Sequence, residues 1–178
     1  MAFSLKISYF HVLFLAFLTT SFPLPTKGDL IDDVCAEMPD QKPLCLDTLR
    51  TDPRSKTQNY QVLAQISSDA AMKDATGLPS FVQSQELKAR DIGVKGRISG
   101  CVTNAENALG SITQVKQFVE SKRYGPAHES AREAKDTLSI CGHSFLLPPA
   151  VEPVELKQAM DKLEGLVTIF LVVTNHMI

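Results

Sequence analysis

The chain has 178 residues, 44% of them hydrophobic and 21% charged, with no Trp. That is one domain's worth of sequence with enough apolar material for a single core, which excludes a disordered chain. A formal net charge of −2 excludes the basic balance that nucleic-acid binding requires.

The N-terminus carries Lys6, then the apolar run Val12–Leu18 extended by Tyr9 and Phe10, then Pro23, Pro25 and Thr26-Lys27-Gly28. This order predicts a secretory signal peptide over residues 1–28, cleaved after Gly28, and a folded domain over 29–178. The apolar run is shorter than the roughly 20 residues that span a bilayer. Cleavage removes Lys6 and Lys27 and no acid, leaving the mature chain at net −4.

All four cysteines, Cys35, Cys45, Cys101 and Cys141, follow the signal. An even count after a secretory signal implies disulfides, in any of three pairings. A zinc site has little support, since there is no Cys-x-x-Cys and no His at ligand spacing.

Asp32-Asp33 reads as a pair of dipole partners in a first helical turn. Positions 35 and 45 are symmetric about position 40, within the turn-rich Met38-Pro39-Asp40-Gln41-Lys42-Pro43. A small helical hairpin stapled by Cys35–Cys45 follows. Thr57–Gly77 shows a weak apolar face of Leu63, Ile66 and Ala70. Gly77-Leu78-Pro79 is expected to kink or break that helix, with Ser80–Asp91 as its continuation. Gly93, Gly96 and Gly100 mark a loop and a helix entry. Lys88, Arg90, Lys95 and Arg97 cluster there without interleaved aromatic residues and read as a solvated helix end.

From Ile98 the apolar residues Cys101, Ala105, Ala108, Ile112, Val115 and Val119 recur in steps of three and four. A second stripe runs Ala127, Ala131, Ala134, Leu138, Cys141, Phe145. Both are helix faces turned to a core. Between them, Ser121-Lys122-Arg123-Tyr124-Gly125-Pro126 is a turn, with Gly ending one helix and Pro tolerated at the start of the next. Positions 101 and 141 are symmetric about position 121, at the edge of this turn. Since each helix rises about 1.5 Å per residue, folding back there brings Cys101 and Cys141 level and predicts their disulfide. Leu147–Pro153 is a stiff linker, and Leu156, Met160, Leu163, Val167, Phe170 and Thr174 form a last helical stripe. The run Leu166–Val173 is too short for a lipid-anchor tail and fits a buried terminal helix. The fold class expected is all-α: an up-down-up-down four-helix bundle preceded by a small N-terminal α-hairpin, with two disulfides.

No catalytic constellation emerges. His128-Glu129-Ser130-Ala131-Arg132 opens like a zinc-protease helix, but Arg132 stands where the second His belongs. His143 reads as a helix-end polar residue and His176 as part of a mobile terminus. Gly93–Gly100 lacks phosphate-loop spacing and no strand precedes it. There is no Gly-x-Ser-x-Gly elbow, and bridged cysteines leave no thiol nucleophile. No metal or cofactor is expected, and with no Asn-x-Ser/Thr sequon, no N-glycosylation.

The opening of the mature chain is the most specific stretch: Cys35, nine residues, Cys45, Leu49, then Asp52-Pro53-Arg54-Ser55. With Ala108, Ile112, Tyr124-x-x-Ala127 and Phe145 four residues after Cys141, it resembles the plant invertase/pectin methylesterase inhibitor family from Asp29 to the end. Ala105, where the family often has Tyr, and Arg132-Glu133-Ala134-Lys135, where it usually has an alanine-rich stretch, depart from the pattern. The resemblance implies the same disulfide pairing, first with second and third with fourth. It implies a secreted, apoplastic protein without enzymatic activity, a monomer when free, which occludes the substrate cleft of pectin methylesterase in a one-to-one complex. The alternatives are an inhibitor of cell-wall or vacuolar invertase, or a non-inhibitory bundle such as a ligand carrier with a hollow core. Lys122-Arg123-Tyr124 stands where invertase inhibitors tend to carry Pro-Lys-Phe, which favours the methylesterase branch. Arg123 and Tyr124 are the candidate partner-binding residues, being residue types enriched at binding hot spots.

Overall fold

The computed structural model describes residues 28–148 and 151–178. The signal peptide expected over residues 1–28 lies outside them except for Gly28. Six α-helices follow one another: α1 Leu30–Ala36, α2 Lys42–Arg50, α3 Tyr60–Lys88, α4 Ile92–Glu120, α5 Tyr124–Ser144 and α6 Val154–Asn175. Short 3-10 turns at Pro39–Gln41 and Pro53–Thr57 join α1 to α2 and α2 to α3. The four long helices form the bundle: α4 packs between α3 and α5, and α6 closes the ring against α5 and α3. The expected all-α bundle with a leading hairpin is the observed one.

The three predicted stripes are all buried. Ile98 through Val119 on α4, Ala127 through Phe145 on α5 and Leu156 through Thr174 on α6 face one continuous core. Phe170 is the largest fully buried side chain; its removal is worth roughly 3–5 kcal/mol. The void lined by Ser68, Ile112, Ala131 and Phe170 has about 10 Å³, barely room for one water. A hollow carrier is not what these alanines build.

Helix α3 departs from expectation in three ways. It starts at Tyr60, capped by Asn59, whose side chain accepts from Gln61 N at 2.7 Å. Its buried face runs through Ala71 and Ala75, while Ala70 is only half-buried. Ser67 and Ser68 are also buried there, with their hydroxyls donating to Leu63 O (2.8 Å) and Gln65 O (2.9 Å). Two serines on the core side explain the weak stripe. Finally, Gly77-Leu78-Pro79 does not break the helix, which continues to Lys88. Proline inside a helix costs about 3 kcal/mol, and burial of Leu78 and Val82 on either side of it offsets that cost.

The glycine-rich segment after α3 is also helical. Asp91 caps α4 by accepting from Val94 N at 2.8 Å, so Gly93, Gly96 and Gly100 lie within the first turns rather than in a loop. The cap fixes the start where glycine propensity alone would not.

The hairpin α1–α2 is pinned by Cys35–Cys45, with Cα atoms 5.6 Å apart. It packs on α3 and α6. Asp29 caps α1 and takes a hydrogen bond from the Gln58 amide at 3.0 Å, while Arg50 pairs with Asp29 (3.0 Å) and Asp32 (2.6 Å). Asp52-Pro53-Arg54-Ser55 is the joint to the bundle. Asp52 caps its 3-10 turn, Arg54 pairs with Asp52 and with Asp69 of α3, Ser55 is buried, and Lys116 of α4 also reaches Asp69. Where α2 meets α6 the approach is close: a Cβ on Gly165 would sit 2.6 Å from Leu44 Cδ2. The C-terminus is held rather than mobile. His176 stacks on Tyr60, with centroids 4.9 Å apart, and its Nε2 bonds Glu37 Oε1 at 2.6 Å. An aromatic ring to lie on and a carboxylate to pair with order this residue.

Candidate functional site

Helices α4 and α5 make the most extensive helix–helix contact in the molecule. The reason lies in the stripes: Ala105, Ala108, Ala127, Ala131 and Ala134 are all buried at or near this seam. Small side chains let the backbones come close, and Cys101–Cys141 bridges them with Cα atoms 5.0 Å apart. No free cysteine remains among the described residues.

The turn between them has a defined geometry. Lys122 takes the left-handed conformation, φ 56°. Its N–H donates to Val119 O at 3.0 Å, and Arg123 N donates to Phe118 O at 2.8 Å. This paired pattern terminates a helix, usually with glycine at the left-handed position. Gly125, expected to be the terminator, instead lies in the first turn of α5. Proline, fixed near φ −65°, has no place at position 122 of this turn.

The two candidate residues sit next to each other here but in different settings. Arg123 is exposed, and its guanidinium lies 4.9 Å above the Phe118 ring centroid. Tyr124 is half-buried, and burial raises its phenol pKa. It lines a cleft of about 910 Å³ with Asp29, Asp33, Gln58, Asn59, Tyr60 and Met177. That cleft lies where the hairpin, the start of α3, the α4–α5 turn and the C-terminus converge.

One feature of this surface was missed in the sequence. The outer face of α4 carries Ser99, Thr103, Asn107, Gly110, Gln114 and Gln117, all exposed and at helical steps. It is a polar stripe along the helix opposite the buried one, with Glu106 the one charged residue exposed within it. Ser, Thr and Asn lose less rotamer entropy on docking than Gln or the long charged residues, and charged groups are depleted at the centres of protein interfaces. The signal was present in the sequence as a helical period of small polar residues, complementary to the Ile98–Val119 stripe. The outer face of α5 differs, since Glu129, Arg132, Glu133 and Asp136 are exposed on it.

The polar interior has structural roles. His128 is buried on α5, and its Nδ1 lies 2.8 Å from Thr174 Oγ1. Thr174 donates to Phe170 O, so His128 Nδ1–H is the donor to Thr174. A groove of about 330 Å³ between α5 and α6 holds His143, Glu152, Asp161 and Glu164. Burial raises the Glu152 carboxyl, opposed by Lys157, which itself pairs with Asp161 at 2.7 Å. Among the described residues no three His, Cys, Asp or Glu gather as metal ligands, and no helix is long and apolar enough to cross a membrane.

The model of the plant invertase/pectin methylesterase inhibitor family matches residues 29–173. The chain belongs to this family. It is 34% identical to a pectinesterase inhibitor of Actinidia deliciosa over 164 residues, 92% of this chain and 88% of that one. It is 26% identical to a "Putative invertase inhibitor" of Platanus acerifolia, over 82% of this chain and 80% of that one. Its fold matches the crystal structure of a mutant form of a pectin methylesterase inhibitor from Arabidopsis, with TM-score 0.72 and 22% identity, over 82% of this chain and 95% of that one. Family membership makes the chain an inhibitor-type protein rather than an enzyme.

Proposed function

We propose that this protein inhibits pectin methylesterase in the apoplast by docking in a one-to-one complex over the enzyme's substrate cleft. The observation that carries the reading is the 34% identity to a pectinesterase inhibitor over nearly the whole chain. The invertase inhibitor relative is more distant, and the turn at Lys122 leaves no place for the proline of the Pro-Lys-Phe pattern. The pinned α4–α5 pair is a preformed surface, so little ordering entropy opposes docking. The polar outer stripe of α4 forms the centre of the contact, and Arg123 and Tyr124 at the turn form its edge.

The test is a paired assay. Oxidised mature protein is titrated into a plant pectin methylesterase and, separately, into a cell-wall invertase. Loss of methylesterase activity alone is expected; loss of invertase activity alone replaces this reading with the other. Gln114→Glu, which puts a charge within the α4 stripe while keeping the oxygen that accepts from Ser130 Oγ (3.4 Å), is expected to weaken inhibition at least about ten-fold, the effect of roughly 1.4 kcal/mol, with an unchanged circular dichroism spectrum. Arg123→Ala with Tyr124→Ala is expected to weaken it too, and undiminished inhibition would remove the turn from the contact.

A further inference from the structure

At the opposite end of the bundle from the α4–α5 turn, the end of α3 passes to the start of α4 through Ala89, Arg90 and Asp91: Ala89 closes α3 and Asp91 caps α4. Lys88, Arg90 and Lys95 are exposed around this junction, and none has a carboxylate partner among the described residues. Arg97 stands just behind them. Its guanidinium reaches across to the end of α5, donating to Ser144 O and to Leu147 O (2.6 Å). Leu87 precedes Lys88 and Ile92 stands between Arg90 and Lys95 in sequence; they are 76% and 89% exposed.

Acids are scarce here although the mature chain is acidic overall. Between Glu86 and Glu106 the only carboxylate is Asp91, and it is engaged with the Val94 amide. Between Asp136 and Glu152, which covers the end of α5, there is none. The other carboxylates at this end are Glu86, half-buried on the last turn of α3, and Glu155, exposed at the start of α6, which packs against α3 and α5; neither pairs with Lys88, Arg90 or Lys95.

We propose that the α3–α4 turn, with Lys88, Arg90 and Lys95 around Leu87 and Ile92, is a docking surface for a polyuronate chain such as de-esterified pectin. The choice of uronate rests on the methylesterase reading, since such an enzyme converts esterified uronate into this acid. The cations are spread over a helix end, a junction and the first turns of the next helix, a span on the order of 10 Å. A single carboxylate engages one or two of them, whereas a polymer with a carboxylate on each sugar reaches all. Leu87 and Ile92 offer aliphatic surface to the C–H faces of the sugar rings. A lipid surface fits less well, because interfacial binding uses one apolar face of an amphipathic helix lying along the membrane, and this patch is a turn between the ends of two helices. In its effect, the surface would hold the inhibitor on wall regions where the enzyme has already acted, leaving the α4 stripe free.

The test is retention of the oxidised mature protein on immobilised polygalacturonate, with fully methyl-esterified pectin and phosphatidylserine vesicles as separate arms. Retention on polygalacturonate at low ionic strength, release by salt as for other polyanion complexes, and no retention on the esterified polymer are expected. Lys88→Ser with Arg90→Ser and Lys95→Ser is expected to reduce retention at least about ten-fold. Arg97 is kept because it closes α5, and an unchanged melting temperature checks the fold. No retention of the parent protein, equal retention of the triple variant, or binding to vesicles in preference to the polymer would each overturn the proposal. Methylesterase inhibition measured on the same preparations separates the two readings: inhibition without retention removes only the polyuronate surface, and retention without inhibition removes only the inhibitor assignment.

Discussion

Single side chains explain two places where the backbone or the interior is unusual. Lys122 and Gln58 are the two non-glycine residues with positive φ among the described residues, but they are not equivalent. The Gln58 side chain accepts from Leu30 N at 2.7 Å and donates to Asp29, so replacing it with glycine exchanges backbone relief for two lost contacts. Among the described residues the Lys122 side chain makes no hydrogen bond or ion pair, so Lys122→Gly should stabilise the protein by about 1 kcal/mol, seen as a rise in denaturant midpoint at unchanged slope. His128 gives a pH dependence with a definite sign. Burial holds its pKa below the ordinary value; Arg132 adds to this and Glu129 opposes it. A depressed histidine pKa means that the unfolded chain binds the proton more readily. Stability from this site is therefore full above about pH 6.5, the unfolded value, and declines as pH falls below it. Denaturant titrations from pH 7 to pH 5 should show that decline, and His128→Gln should flatten it.

At the scale of elements, the two disulfides divide the labour. In the chain-entropy account, the loop closed by Cys101–Cys141, with a sequence separation of 40, contributes about 4 kcal/mol, and the shorter Cys35–Cys45 loop about 3 kcal/mol. Replacing Cys101 and Cys141 together by Ser should lower stability by the larger amount and loosen the surface that carries the α4 stripe. Replacing Cys35 and Cys45 should leave the bundle folded and expose the hairpin to proteolysis. The docking of that hairpin depends on the missing side chain at Gly165. Gly165→Val forces Leu44 away, and overpacking of this kind costs roughly 1–3 kcal/mol. Limited proteolysis should then cut between α2 and α3 while α4–α5 remains resistant. Asp29 belongs to the same joint. Its hydrogen bond from Gln58 holds its carboxyl below the usual range, helped by Ile31 N and Arg50 and opposed by burial. Stability from Asp29 is present above the unfolded carboxylate pKa and is lost as pH falls through the depressed value, so the hairpin should be tethered less firmly in strong acid.

For the whole molecule, the arrangement separates three regions. One end gathers the hairpin, the C-terminus and the cleft at Tyr124. The side presents the polar α4 stripe. The far end carries the cations of the α3–α4 turn. A disulfide-pinned bundle holds these at fixed distances, which is what an occluding protein needs, since its effect depends on where bulk is placed and not on a reacting group. A Gln114→Glu variant that inhibits as well as its parent would move the contact off α4 and toward the cleft end, leaving the fold argument untouched.

Much of this architecture was legible in the chain itself. Apolar residues at steps of three and four identify α4, α5 and α6, because a helix must turn one face to the core, and the symmetry of 101 and 141 about a turn levels the two cysteines through the constant rise per residue. The path of α3 through Pro79 was decided only in the tertiary structure, where burial on both sides outweighs a local preference. So was the start of α4 at Asp91, where one capping hydrogen bond overrides three glycines. The place of His176 came from Tyr60 and Glu37, 116 and 139 positions away in sequence, which no local pattern records. The α4 stripe lay in between: its residues and their period are in the sequence, but that they remain uncovered depends on α3 and α5 packing on the other faces of the helix.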